Sequence, residues 1–114
     1  MSAVRRAAEA MLRVLDRGVR PTAVFGANGQ TTLGAMRALR ERLGAEAASR
    51  VEIVSFDDIE WFAFTSPPVS AVCNDAPEIG RAGVRGLLDL IGGGTATSQR
   101  VATSFIDRSE GARQ

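Results

Sequence analysis

At 114 residues the chain has room for one domain or part of one, and a chain of this size buries roughly two-thirds of its unfolded surface, enough for a core. Fourteen basic against thirteen acidic residues leave a formal charge of +1, so no strong field recruits nucleic acid or an anionic membrane. Histidine is absent and Cys73 is the single cysteine, which excludes a Cys/His metal site, an intrachain disulfide and a serine nucleophile with a histidine base.

Val4, Ala8, Met11, Leu12 and Leu15 recur at helical spacing with charges between them. They predict an amphipathic helix over Ala3 to Asp16, with Gly18 as its stop. The same arginines and acids break up any secretory h-region, and no apolar stretch is long enough to span a bilayer, so the chain reads as cytoplasmic. Pro21 then favours an extended lead into a strand around Ala23 to Phe25. A second helix follows from about Thr31 to Leu43, with Leu33, Met36, Leu39 and Leu43 on one face and Gly44 just past its end. Val51 to Phe56 forms the next strand, and strand–helix–strand predicts a parallel pair.

Ile59 to Phe64 has no clean period, although it holds three of the six aromatic residues, Trp61, Phe62 and Phe64. Val69 to Cys73 is a third strand. Asp75-Ala76-Pro77-Glu78 has the form of a helix start, with Asp75 as cap and Pro77 in the first turn. That helix runs to about Ile91, where Gly92-Gly93-Gly94 breaks it. Its apolar residues, Ile79, Val84, Leu87, Leu88, Leu90 and Ile91, cover a wider arc than one sheet face needs. A last strand is expected near Arg100 to Ile106, followed by a loose polar tail. The fold class is α/β, a mostly parallel sheet with flanking helices.

Three strands end in polar residues: the first at Asn28, the second at Asp57-Asp58, the third at Asn74-Asp75. In a parallel sheet, Asn28, Asp57 and Asn74 share the carboxyl edge, where open α/β sheets bind small molecules. Taken singly, Asn28 beside Gly29 also reads as a cap or turn, and Asp57 as a turn carboxylate. Asn74-Asp75 also reads as a cap. Cys73 lies in an apolar run as a small core residue. Gly92 to Gly94 follows a helix instead of preceding one, so it is no phosphate cradle. No base-plus-nucleophile arrangement appears, and the chain does not read as an enzyme.

Six segments, in order, closely resemble the LacI/GalR family of bacterial transcription regulators. They are Arg20 to Asn28, Leu33 to Arg40, Val51 to Asp58, Pro67 to Val72, Glu78 to Ala82 and Ile106 to Glu110. Phe56-Asp57-Asp58 followed by the Pro67-Pro68 strand is the most telling. The resemblance implies the C-terminal lobe of an effector-binding domain with a periplasmic-binding-protein-like fold, over residues 1–110, with a tail at 111–114. It implies that the helix at 76–92 belongs mainly to an N-terminal lobe outside this stretch. The helix-turn-helix that reads operator DNA, and the hinge, would also lie outside it.

By position, the resemblance assigns Asn28, Asp57 and Asn74 to the effector, a sugar or nucleobase held between lobes, with no metal and no cofactor. It departs at Gly29, where the family usually has aspartate. It also implies a homodimer interface at the start of the second helix and the loop before Pro67, with Leu33, Met36, Phe62 and Phe64 as candidates. Two other readings stay open. A periplasmic-type sugar-binding protein shares the fold, but would need an export signal and usually lacks the Asp57-Asp58 and Pro67-Pro68 pairs. A truncated module that only dimerises is the other.

Overall fold

Helix α1, Ala3–Asp16, begins where the Ser2 hydroxyl accepts the Arg5 amide at 3.1 Å and ends at Gly18, whose φ of 87° suits glycine. The computed structural model describes residues 2–109, so the expected tail at 111–114 lies outside the described residues. After α1 come β1 (Ala23–Gly26), α2 (Gly29–Leu43) and a short α3 (Ala45–Ala48). Then come β2 (Glu52–Phe56), a 3-10 turn (Glu60–Ala63), β3 (Ser70–Cys73), α4 (Ala76–Ile91) and β4 (Ser104–Ile106). The strands lie in the order β1-β2-β3-β4. The first three run parallel and β4 is antiparallel to β3. The mostly parallel α/β sheet is as expected.

Several boundaries shift. The second helix starts at Gly29, two residues before the spacing implied, because Asn28 caps it. The last strand is confined to Ser104–Ile106, and the aperiodic aromatic stretch folds as a 3-10 turn.

One face of the sheet holds the core. Strand alternation turns Ile53, Ser55 and Ala71 to that face, and all are buried. Helix α2 lies on β1 and β2, and α1 packs along α2. Small residues permit the close crossing: a Cβ on Gly34 would come within 2.2 Å of the Val4 carbonyl. Leu15, Leu39, Val51, Ile53, Phe62 and Val69 fill the space between. Phe62, one of the expected interface residues, is fully buried there and exposes no surface of its own in this chain.

The other face is open. Phe25 and Phe105 point to it, 61% and 56% exposed, with Val54, Phe56 and Val72 half-buried between them. No helix among the described residues packs against it.

Helix α4 also stands apart. Asp75 caps it through the Glu78 amide at 3.0 Å, with proline in the first turn as expected, yet none of its residues is buried. The radius of gyration is accordingly 18.1 Å, against about 13 Å for a compact chain of this length. No helix among the described residues is long and apolar enough to cross a membrane.

Candidate functional site

The carboxyl ends of β1, β2 and β3 bring Asn28, Asp57 and Asn74 to one edge, as the parallel order requires. Asn28 does two things there. Its Oδ1 accepts the Thr31 amide at 2.9 Å, which starts α2, while its amide nitrogen donates to none of the described residues. The cap and the candidate ligand contact are therefore compatible in one side chain. Thr32, one turn in, is fully buried. Its hydroxyl donates to the Asn28 carbonyl at 2.8 Å and lies 2.9 Å from the Ser55 hydroxyl, tying the start of α2 to β2. Gly26 is required for this, because a Cβ there would sit 1.8 Å from Thr32 Oγ1.

Asp57 has a φ of 79°, a left-handed conformation rare for a residue with a Cβ. Two contacts hold it: its N–H donates to the Val72 carbonyl at 2.8 Å, and its Oδ1 accepts from Asn74 Nδ2 at 3.1 Å. Such strain recurs where function needs a side chain aimed. Asp57 borders two shallow hollows. One, of about 350 Å³, is lined by Asn28, Gly29, Gln30, Asp57 and Ile59. The other, of about 530 Å³, runs past Asp58, Cys73, Asn74, Ala76 and Ile79. Donors on Asn28, the second carboxylate oxygen of Asp57 and the amide oxygen of Asn74 have no partner among the described residues. Together they offer paired donors and acceptors to vicinal hydroxyls or ring edges. The Cys73 thiol is free and half-buried beside them.

Asp58 has a different task. Its carboxylate takes both terminal nitrogens of Arg108, at 2.9 and 3.1 Å. Arg108 also donates to the Val69 carbonyl at 2.6 Å, and its backbone N–H to Ser70 Oγ at 2.9 Å. The hydrogen bonds it donates to Asp58 hold the guanidinium pKa above its ordinary value, against the burial that lowers it. Nothing in the sequence pairs residues fifty positions apart, so this contact was not legible. Ile59 was missed too; its only signal was an apolar residue directly after the acidic pair.

Of the expected interface residues, Leu33, Met36 and Phe64 line one groove of about 360 Å³, with Arg37, Arg40 and Trp61. Phe64 is 85% exposed there, and Phe62 supports the groove from beneath.

Fold and edge together define an α/β lobe of the type found in periplasmic binding proteins and in the regulators built on them. The chain belongs to the periplasmic binding protein-like domain family, which matches residues 1–109, and it is similar to LacI-type transcription regulators. It is 46% identical over 72 residues to the HTH-type transcriptional regulator MalR of Streptomyces coelicolor, covering 63% of this chain and 21% of that one. It is 35% identical over 98 residues to the lactose operon repressor of Escherichia coli, covering 85% and 27%. A solved lac repressor dimer bound to operator and the anti-inducer ONPF superposes with a TM-score of 0.72 at 31% identity, over 89% of this chain and 35% of that one. The chain spans between about a fifth and just over a third of the length of these relatives, which are named as transcription regulators or repressors.

Proposed function

We propose that the chain is the effector-sensing portion of a LacI-type DNA-binding transcriptional regulator of the cytoplasm. It binds a small molecule of sugar or nucleobase type at the Asn28–Asp57–Asn74 edge, and an N-terminal lobe of the whole protein closes the cleft from the other side. The observation that carries this reading is the left-handed Asp57, tied to Asn74, at the junction of two hollows. In this reading α4, which buries nothing in its own chain, packs on that N-terminal lobe. The groove at Leu33, Met36 and Phe64 meets a second copy. Operator DNA is contacted by a helix-turn-helix outside this stretch, and effector binding shifts the relative rotation of the lobes.

The test is a thermal-shift and NMR screen of the chain against pentoses, hexoses, their phosphates and nucleobases. A ligand whose signal is lost in Asp57→Ala supports the assignment. A ligand whose binding ignores Asp57, Asn28 and Asn74 overturns it.

A further inference from the structure

Thr32 and Ser55 are fully buried, with their hydroxyl oxygens 2.9 Å apart between the start of α2 and the end of β2. Thr32 Oγ1 is also 2.8 Å from the Asn28 carbonyl, and Ser55 Oγ is 3.1 Å from the Phe56 carbonyl. Each hydroxyl carries one hydrogen, so the pair makes two of these three bonds at a time. In one arrangement Ser55 donates to Thr32 and Thr32 to Asn28. In the other, Thr32 donates to Ser55 and Ser55 to Phe56. Donating outward at both ends would leave two oxygens face to face with no hydrogen between them. The two hydroxyls therefore turn together.

The ends of this relay are the main-chain groups that carry the candidate ligand residues. The Asn28 carbonyl belongs to the capping residue itself. The Phe56 carbonyl belongs to the peptide bond that leads into Asp57, and the N–H of that bond donates to the Val72 carbonyl at 2.8 Å. With both sides of its peptide plane held, Asp57 turns from a fixed base into its φ of 79°. Apolar residues of like size would fill the same space and leave no buried hydroxyl to satisfy. Further along the loop, Ile59 rests on Gly29, where a Cβ would lie 2.3 Å from its Cδ1, so the two segments meet there as well.

We propose that Thr32 and Ser55 are positioning residues of this edge. Their hydroxyl pair ties the setting of Asn28 to that of Asp57, so that both groups are presented to one ligand together. The link is a buried element with two discrete hydrogen-bond arrangements, which is what coupling between two groups requires. The proposal rests on the reading of the Asn28–Asp57–Asn74 edge as the effector site.

The experiment is NMR on the full chain, first without ligand. Thr32→Val removes the hydroxyl at the α2 end. It should speed amide exchange at Asp57 about tenfold and change the scalar coupling that reports its φ. Thr32→Ser, which keeps the hydroxyl, should leave Asp57 as it is in the parent chain. A pair that only fills the core would lower Tm in Thr32→Val without moving the Asp57 coupling. If Thr32→Val does not fold, Ser55→Ala carries the test at the other end, as faster exchange of the Thr31 amide that Asn28 caps. The second stage titrates D-glucose, D-galactose, D-ribose and hypoxanthine. A compound whose binding is lost in Asp57→Ala should bind about tenfold more weakly to the hydroxyl-deleted variant. An unchanged far end, or unchanged affinity for such a compound, overturns the positioning role and leaves the edge as the site. Binding that survives Asp57→Ala, or no binding of any of these compounds, overturns the site reading and the positioning role with it.

Discussion

Helices α2 and α4 are fifteen and sixteen residues long, yet α2 buries six of its residues and α4 none. By pattern alone the order would be reversed. The buried residues of α2 are mostly small, Gly29, Thr32, Gly34, Ala35 and Ala38 with Leu39, while α4 carries a broad stripe of isoleucine, leucine and valine. What buries α2 is the fit of small residues between α1 and the sheet. What forms α4 is local: the Asp75 cap, the proline in its first turn, and Glu78 bound by Arg81 and Arg85. An amphipathic pattern states what a segment needs to bury. It does not state that the same chain supplies the surface.

This contrast can be broken most decisively at single apolar residues. Phe62→Ala, in the packed half, should cost about 3–5 kcal/mol in denaturant unfolding. Leu88→Ala in α4, where the leucine is 61% exposed, should stay within about 0.5 kcal/mol. Equal losses would mean that α4 is packed after all.

Glycines sharpen the comparison at a smaller scale. Gly34→Ala drives a methyl into the Val4 backbone and should cost about 1–3 kcal/mol, read as a lowered Tm. Gly83→Ala meets nothing within 4 Å and should stabilise α4 by up to about 1 kcal/mol, read as increased helicity by NMR shifts.

The smallest effect concerns pH. Hydrogen bonds from Arg85, then Arg81, hold the Glu78 carboxyl below its ordinary value of 4.5. The folded state therefore binds that proton less readily than the unfolded one. The contribution is full above the ordinary value and is lost as pH falls through the lowered one. Helicity in the first turns of α4 should fall slightly across that acidic range. Glu78→Gln should remove this step and leave α2 unaffected.

Much of this fold was legible because short-range rules fixed it. The spacing from Val4 to Leu15, with Gly18 behind it, gave α1 its observed bounds, and Asp75-Ala76-Pro77-Glu78 gave the start of α4. The common edge of Asn28, Asp57 and Asn74 followed from strand order alone. What stayed hidden depended on the third dimension. A single 3-10 turn is too short to show a period, so the burial of Phe62 could not be read from its neighbours. Asp57-Asp58 looked like one acidic unit, but the structure divides it, one carboxylate at the hollows and the other committed to Arg108. Ile59 over Gly29 is a contact across thirty residues, and composition has no view of it.

The Arg108 contact has a mechanical consequence. The chain leaves the sheet after Cys73, forms α4, and rejoins at Ser104 beside the strand it left. Outgoing and returning segments thus form a two-legged lever with α4 as its arm. One leg passes Asn74, which grips Asp57. The other ends in the guanidinium that grips Asp58. Both ends of the α4 excursion are thus fastened to consecutive carboxylates, one through Asn74 and the other through Arg108.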